Sequence, residues 1–425
     1  MIQILKYGEA SKEQLFCRSA SGSGVEQAVA EIIAEVRRRG DAALRAYSEK
    51  FDCARLDALE VSEEEKAAAR AAVSPELLAV MERAAENIRA YHEKQLRSSY
   101  MLTGEDGIVL GQRVIPLKRV GVYVPGGTAS YPSTVLMDCI PAKLAGVGEL
   151  IMVSPATGGA ISSVILAAAQ LAGVDRIFKL GGAQAIAALA YGTESVPRVD
   201  KIVGPGSAYV AEAKKQVFGQ VAIDMIAGPS EILVIADSGA NAAFVAADLL
   251  SQAEHDRMAT AILLTDSADL AAAVQRELET QLAALPRAQI ARASIDQNGR
   301  IVLTDSITQA VELANELAPE HLELSVDAPF DYLDQIQNAG SVFLGRYSCE
   351  SLGDYYAGPN HTLPTMGTAR FSSPLGVDDF VKKSSFTYYT RQALLRAADD
   401  VALFAESEGL HAHARAVTIR KEALQ

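Results

Sequence analysis

Five of the six histidines of this chain lie in four short segments that also carry carboxylates. The segments span residues 251–256, 319–323, 353–361 and 408–413. Histidine beside carboxylate suits a zinc site or the stepwise transfer of protons, whereas solvent-facing histidines would be expected to scatter. This clustering predicts a metal site, a proton relay or both in the second half of the chain.

The first two segments hold pairs of side chains at short spacing. Gln252 and His255 are one helical turn apart, so both can reach one cation, although such pairs also occur on ordinary helix surfaces. Glu320 and His321 follow a proline and combine a carboxylate with an imidazole, a pair suited to general acid–base work. The alternative for Glu320 is a residue that caps or solvates a turn.

The other two segments are less specific on their own. Asp354 and His361 flank a loop; Asp354 is a candidate zinc ligand and His361 a candidate substrate contact, while a local turn is the plainer explanation for Asp354. In the polar tail helix, Glu408 and His411 share a face and His413 points elsewhere. We interpret His411 as solvated, and the weakly apolar tail as a segment that docks onto a partner subunit.

Composition limits the class of protein. At 425 residues the chain should form two or three domains, and no apolar run reaches the length of a membrane span. The formal net charge of −14 disfavours a nucleic-acid partner. Four widely spaced thiols and the absence of a signal-peptide pattern predict a cytoplasmic protein without a disulfide framework; the thiols are Cys17, Cys53, Cys139 and Cys349.

Short β-rich runs alternate with alanine-rich helical runs from about residue 114 onward. This alternation predicts parallel sheets that are covered on both faces, in two stacked Rossmann-like α/β domains. We expect a helical N-terminal segment over 1–113, α/β domains over 114–229 and 230–376, and a helical tail over 377–425. The clearest strand runs are 120–124, 149–153, 176–180, 231–236 and 260–265.

Glycine-rich turns follow several of these strands, at 125–127, 181–182 and 204–206. Such turns present bare backbone donors to ligands at the carboxyl ends of parallel strands. They also occur where glycine only supplies a positive φ, and no G-x-G-x-x-G motif is present to decide between the two.

Taken together, the motifs resemble those of the histidinol dehydrogenase family over nearly the whole chain. Seven runs occur in the family's order: Val122-Tyr-Val-Pro-Gly-Gly127, Lys179-Leu-Gly-Gly-Ala-Gln-Ala-Ile186, Asp200-Lys-Ile-Val-Gly-Pro-Gly206, Ala227-Gly-Pro-Ser-Glu231, Ser251-Gln-Ala-Glu-His255, Pro319-Glu-His-Leu322 and Gly358-Pro-Asn-His361. The resemblance implies oxidation of L-histidinol to L-histidine, through an aldehyde that stays on the enzyme, with two NAD⁺ reduced.

The resemblance also implies roles for individual residues. His321 would take the alcohol proton, and Glu320 would activate water for the second oxidation. One zinc ion per subunit would be held by Gln252, His255, Asp354 and His413. The positions that match substrate contacts are Ser230, Gln252, His255, His321, Asp354, His361, Glu408 and His413, and those that match NAD⁺ contacts are Tyr123, Gln184 and Ser207.

Two further implications concern position 207 and the tail. The family usually has asparagine where this chain has Ser207, which is shorter and has fewer hydrogen-bonding groups, so the NAD⁺ contact there is in doubt. The family is a homodimer with shared active sites, in which Glu408 and His413 would serve the neighbouring subunit.

Two other classes of function compete with the dehydrogenase. Zinc together with Glu320 and His321 would also suit a metallohydrolase, which would act without NAD⁺. A non-catalytic binding protein on the same scaffold would bind zinc without turning over histidinol.

Overall fold

The structure is a computed structural model that describes residues 1–9, 11, 15, 24–126 and 130–424. Cys17 and Gly127, which figure in the sequence analysis, lie outside the described residues. The strands are β1 (Gln3–Lys6), β2 (Tyr100–Thr103), β3 (Val109–Pro116), β4 (Arg119–Tyr123), β5 (Glu149–Ser154), β6 (Arg176–Lys179), β7 (Lys201–Val203), β8 (Ala222–Ile223), β9 (Glu231–Ala236), β10 (Thr260–Thr265), β11 (Arg300–Leu303), β12 (His321–Ser325), β13 (Ser341–Leu344) and β14 (Val381–Tyr388).

The α-helices alternate with these strands through most of the chain. They are α1 (Glu26–Arg39), α2 (Asp41–Asp52), α3 (Glu63–Ala72), α4 (Pro75–His92), α5 (Pro132–Leu144), α6 (Ser163–Ala172), α7 (Gly182–Tyr191), α8 (Ala208–Val217), α9 (Ala242–Ala253), α10 (Ala268–Leu282), α11 (Ala288–Gln297), α12 (Ile307–Leu317), α13 (Phe330–Leu333), α14 (Glu350–Leu352), α15 (Arg391–Ser407) and α16 (His411–Glu422). Among the described helices, none is long and apolar enough to cross a membrane.

Two parallel sheets form the core of a large unit made of residues 1–95 and 117–380. The five-stranded sheet has the order β6-β5-β4-β7-β8, and the six-stranded sheet has the order β1-β11-β10-β9-β12-β13. All pairings in both sheets are parallel. The predicted α/β class with parallel-sheet cores is therefore confirmed.

The central strands are buried on both faces, as their unbroken apolar sequences require. Every residue of β9 and β10 is buried, and separate apolar clusters cover the two faces of the six-stranded sheet. The five strand runs singled out in the sequence correspond to β4, β5, β6, β9 and β10. Helix α1 ends before Gly40, which has a φ of 53°.

Two local features set the start of β12. Helix α12 ends at Ala318, which is in the left-handed conformation with a φ of 51°. That conformation is uncommon for a residue with a Cβ atom, and it turns the chain sharply after the helix. The turn brings Glu320 and His321 to the amino end of β12, where Gly340 packs so closely that a Cβ atom there would lie 2.5 Å from the Glu320 carbonyl oxygen.

The second unit contains residues 96–116 and 381–425. It has a three-stranded antiparallel sheet of order β14-β3-β2 and the helices α15 and α16. Thr390 begins α15 by accepting a hydrogen bond from the Ala393 N–H. The tail therefore contains a strand, β14, in addition to the helices that its polar sequence predicts. Likewise β2 and β3 lie in the N-terminal segment expected to be helical.

A buried ion pair holds the turn after β7. The ammonium of Lys214 pairs with Asp224, and both side chains are almost fully buried. Lys214 also donates to the Gly204 carbonyl oxygen at 3.0 Å, while Asp224 accepts from the Gly204 N–H at 2.8 Å. Gly204 has a φ of 107°, and a Cβ atom there would lie 2.2 Å from the Tyr123 carbonyl oxygen, so the turn requires glycine.

We expect Lys214→Met to lower the free energy of unfolding by about 3–5 kcal/mol, because it leaves the Asp224 carboxylate buried without its partner. Urea denaturation followed by circular dichroism measures the change. Lys215→Met is the matched control, since the Lys215 side chain is 58% exposed. A Lys214→Met variant as stable as the Lys215→Met variant would contradict a structural role for the pair.

Candidate active site

The imidazole of His321 lies at the centre of a buried polar cluster at the amino ends of β9 and β12. Its Nδ1 atom is 3.1 Å from the Glu231 carbonyl oxygen. A carbonyl oxygen only accepts, so Nδ1 carries the hydrogen and donates it. The lone pair of the neutral ring is therefore on Nε2, which has no hydrogen-bond partner among the described residues.

Carboxylates surround the free side of this ring. The Nε2 atom of His321 is 3.4 Å from Asp354 Oδ1 and 3.9 Å from Glu350 Oε1. Although burial acts in the opposite direction, the charges of Glu350, Glu320 and Asp354 raise the pKa of His321 well above its ordinary value. The ring is therefore a strong proton acceptor.

Glu320 lies on the other side of His321, with its Oε2 atom 3.8 Å from Nδ1. The same oxygen accepts the Glu231 N–H at 2.8 Å, so the carboxyl group is held by the backbone of the neighbouring strand. Burial raises the pKa of Glu320 to about 8. Once ionised, this carboxylate is a stronger base than an exposed glutamate.

Glu350 is a site residue that the sequence analysis missed. It lies in α14, one helical turn before Asp354. Asp354 is the second residue of the π-helical segment Gly353–Ala357. Its carboxylate accepts the Ser251 hydroxyl at 3.0 Å, and burial raises its pKa to about 7. The spacing of four residues between Glu350 and Asp354 was the available signal, because such pairs share a helix face.

A second acid pair lies behind Glu350. Glu323 Oε1 accepts the Glu350 N–H at 2.7 Å, and the Glu323 side chain is hydrogen-bonded to Asp248. Burial raises the pKa of Glu323 to about 9 and that of Asp248 to about 6. Two close carboxyl groups cannot both ionise there, so they share a proton at neutral pH.

Gln252 comes into this cluster from the last turn of α9. Its side chain is buried, and its Nε2 atom is 3.2 Å from Nδ1 of His321, which donates to Glu231 and therefore does not accept from the Gln252 amide. Its Oε1 atom has no hydrogen-bond partner among the described residues. An orphaned buried amide oxygen is a group that a cation or a ligand donor would satisfy. His255 follows one turn later, is exposed, and lies close enough to Asp354 for their charges to interact.

Two groups of atoms are therefore candidate metal ligands. The first is the predicted set, of which the large unit contributes Gln252, His255 and Asp354. The second was not foreseen: one ligand atom from each of His321, Glu350 and Asp354 lies within 4.8 Å of the others. A metal bound by this second group would occupy the Nε2 lone pair of His321.

His361 is held beside the cluster by two contacts. Its Nδ1 atom is 3.0 Å from the Asp354 carbonyl oxygen, so Nδ1 carries the hydrogen. Its Nε2 atom is 3.3 Å from the hydroxyl of Thr134 in α5. Ser230 directly precedes β9 and is half-buried. A pocket of about 300 Å³ opens beside Asp354, between β13 and the loop that leads to His361.

The predicted NAD⁺ contacts lie at the carboxyl ends of the five-stranded sheet. The Tyr123 hydroxyl, at the end of β4, accepts the Gly182 N–H at 3.1 Å. Gln184 in α7 is buried, and its Oε1 atom lacks a hydrogen-bond partner within the described ranges. Ser207 is exposed just before α8 and makes no side-chain capping hydrogen bond.

The last two predicted residues belong to the second unit. Glu408 and His413 are exposed, at the end of α15 and in the first turn of α16. The large unit thus brings together Gln252, Glu320, His321, Asp354 and His361, and it contributes the acidic neighbours Glu350, Glu323 and Asp248.

Comparisons with known proteins identify the family of the chain. A family model described as histidinol dehydrogenase matches residues 17–421. Histidinol dehydrogenase from Bacillus cereus is 58% identical over 398 residues, covering 94% of this chain and 93% of the relative, and that from Syntrophotalea carbinolica is 59% identical over 399 residues, covering 93% of each. The crystal structure of histidinol dehydrogenase from Elizabethkingia anophelis is 41% identical, with a TM-score of 0.94 over 99% of this chain and 98% of that one. The chain belongs to the histidinol dehydrogenase family of oxidoreductases.

Proposed function

We propose that this chain oxidises L-histidinol to L-histidine with two NAD⁺, through an aldehyde that stays on the enzyme. Histidinol dehydrogenases carry out the last step of histidine biosynthesis. The observation that carries the proposal is the buried pair of Glu320 and His321 at the amino end of β12, beside Gln252 and Asp354. The pair supplies the two bases that two successive oxidations need.

His321 acts first in this scheme. Because the Glu231 carbonyl oxygen accepts the Nδ1 hydrogen, Nε2 is the atom that takes the proton of the alcohol. The nearby carboxylates raise the pKa of His321 and favour its protonated form, so the ring must first lose its Nε2 proton. Loss of the alcohol proton lets the carbinol carbon release a hydride to NAD⁺, and the alcohol becomes the aldehyde. The nearby carboxylates stabilise the imidazolium that results.

Glu320 acts between the two oxidations. Its carboxylate takes a proton from water as the water oxygen attacks the aldehyde carbon, which gives the hydrated aldehyde. His321 releases its first proton to solvent and then takes a hydroxyl proton from the hydrate while the second hydride leaves for NAD⁺, and the product is the carboxylic acid. Burial raises the pKa of Glu320, so its carboxylate is a stronger base than an exposed glutamate once it is ionised.

For zinc, we assign Gln252, His255 and Asp354 together with His413 of the partner subunit. The orphaned Oε1 atom of Gln252 and the Asp354 carboxylate support this set, since oxygen and imidazole nitrogen are both zinc ligands. Bound zinc would serve as a template that orients the substrate's imidazole and amine. We prefer it to the set with His321 and Glu350 because it leaves the Nε2 lone pair of His321 free.

Substrate and NAD⁺ contacts complete the proposal. L-histidinol would contact Ser230, His361 and Glu408 as well as the zinc-binding set. NAD⁺ would contact Tyr123 and Gln184, whose unpartnered oxygen supports a ligand there. Ser207 would contribute less than the usual asparagine. The NAD⁺ contacts thus fall in segment 114–229, and the zinc and acid–base residues of the large unit in segment 230–376.

We further propose a cytoplasmic homodimer in which the tail, residues 377–425, serves the neighbouring site. The second unit has exposed apolar side chains, including Met101, Leu102, Leu403 and Phe404, that a second copy of the chain would cover. The described cysteines Cys53, Cys139 and Cys349 are free, which agrees with a reducing compartment. The acidic net charge disfavours nucleic acid.

The stoichiometry of NADH formed per L-histidinol consumed tests the reaction directly. With limiting L-histidinol and excess NAD⁺, we expect a ratio near two, measured by absorbance of NADH against product quantified by chromatography. A ratio near one would mean that the aldehyde escapes. Hydrolysis of esters or amides without NAD⁺, and no NADH from L-histidinol, would overturn the proposal in favour of a metallohydrolase.

Glu320→Gln should separate the two oxidations. The amide keeps an oxygen that can accept the Glu231 N–H but cannot take a proton from water, so we expect oxidation of added histidinaldehyde to slow by about 10²–10⁴-fold. Formation of the first NADH in a single turnover should change far less. Glu312→Gln, on the exposed face of α12, is the matched control. Equal slowing of both steps would contradict a role limited to water activation.

Replacement of individual ligands should distinguish the two candidate metal sets. We expect His255→Ala and His413→Ala to lose most of their zinc, measured by atomic emission after dialysis. Glu350→Gln and the neighbouring control His411→Ala should keep about one zinc per subunit. Loss of zinc from Glu350→Gln with retention in His255→Ala would favour the set with His321 instead.

The same variants test whether the tail serves the neighbouring subunit. A heterodimer of one His255→Ala and one His413→Ala subunit would have one intact site and one doubly damaged site if the tail crosses over. We expect it to recover about half of the wild-type activity, although each parent homodimer is inactive. An inactive heterodimer, isolated with two affinity tags, would show that each tail serves its own subunit.

A further inference from the structure

Two buried acceptor oxygens lack donors near the carboxyl edge of the five-stranded sheet. They are Oδ2 of Asp52, the last residue of α2, and Oε1 of Gln184 in α7. The Gln184 side chain is 1% exposed. Buried polar atoms in folded proteins nearly always have a hydrogen-bond partner, and leaving them without one is costly.

The position of Asp52 adds to this cost. A carboxylate at the C-terminal end of a helix faces the negative end of the helix dipole. Burial raises the pKa of Asp52, and no neighbouring cation of the described residues offsets that rise. A residue that destabilises the free protein in this way is a candidate for a role in binding.

Both oxygens are close to Tyr123. Helix α2 packs against α7, which begins with Gly182, and against the 3₁₀ turn Thr157–Gly159 that follows β5. The Tyr123 hydroxyl accepts the Gly182 N–H, and both burial and the charge of Asp52 contribute to raising the pKa of Tyr123 to about 12. Tyr123 is the last residue of β4, so these groups border the carboxyl edge of the sheet, where parallel α/β sheets bind their ligands.

We propose that Asp52 accepts a hydroxyl hydrogen of the adenosine ribose of NAD⁺ and sets the preference for NAD⁺ over NADP⁺. The proposal rests on the NAD⁺ role proposed above for Tyr123 and Gln184. A ligand with two donors would satisfy both unpartnered acceptors, and the ribose diol supplies two adjacent O–H groups. In NADP⁺ a phosphate replaces one of those donors and places negative charge beside the carboxylate, which repels it.

Asp52→Asn is the test, because the amide preserves shape but removes the charge and one acceptor. At saturating L-histidinol we expect the KM for NAD⁺ to rise by about tenfold to a hundredfold, with kcat within about threefold of wild type. The ratio of kcat/KM for NAD⁺ to that for NADP⁺ should fall at least about tenfold. The unfolding midpoint of the free variant should equal or exceed that of wild type, since a buried charge is removed.

Asp57→Asn is the matched control, since Asp57 is exposed five residues further along. Its NAD⁺ and NADP⁺ kinetics should match those of wild type. A KM for NAD⁺ within twofold of wild type in Asp52→Asn, or an unchanged preference between the cofactors, would overturn the proposal. If the asparagine variant does not fold, Asp52→Ser repeats the test, because serine replaces the carboxylate with a shorter side chain that ends in a hydroxyl group.

Failure of this inference differs from failure of the proposed function. If the wild-type enzyme forms two NADH per L-histidinol and Asp52→Asn behaves like wild type, only the role of Asp52 is lost. If the wild-type enzyme reduces neither cofactor, the dehydrogenase proposal itself falls. Calorimetric titration of the wild type and of Asp52→Asn with NAD⁺ alone gives a readout that does not depend on turnover.

Discussion

The hydrogen bond from His321 to the Glu231 carbonyl oxygen decides the chemistry that the site can perform. It joins the first residues of two adjacent parallel strands, β9 and β12, whose register is set by a fully buried sheet. Because the bond fixes which nitrogen carries the hydrogen, it leaves Nε2 facing Asp354 and Glu350. The Glu231 N–H donates to the Glu320 carboxylate and holds that side chain in place. One peptide segment of β9 therefore orients both proposed bases.

The two sheets present opposite edges to the candidate active site. The acid–base residues come from the amino ends of β9 and β12, whereas Tyr123 and the glycine turns lie at the carboxyl ends of the five-stranded sheet. Helix α5 joins the two regions: Thr134 contacts His361, Asn360 donates to the Met137 carbonyl oxygen at 2.6 Å, and Thr362 donates to Asp138 at 2.7 Å. The general rule that ligands bind at the carboxyl ends of parallel strands fits the proposed NAD⁺ contacts but not the acid–base residues.

Burial of acidic groups is the recurring cost of the arrangement. Glu320, Glu350 and Glu323 all have pKa values raised by burial, and Glu323 shares a proton with Asp248. These groups would be better solvated at the surface, and their position lowers the stability of the free protein. The same electrostatic field makes His321 a strong proton acceptor. The buried carboxylates therefore lower the stability of the free protein and raise the basicity of His321, a combination that is typical of proton-transfer sites.

Local sequence patterns were sufficient for the class of fold and for five of the eleven strands of the two parallel sheets, because unbroken apolar runs are properties of the chain itself. They also singled out the four histidine-rich segments, whose roles remain a prediction. They did not predict β14 or β2 and β3, whose largely exposed residues form strands through antiparallel pairing in the second unit. They also missed Asp52, which has no local signature, and Glu350, although its spacing of four residues from Asp354 was available as a signal. Only the tertiary structure, which buries these carboxylates beside His321 and Tyr123 and sets their charge, distinguishes them from the many acidic residues on the surface.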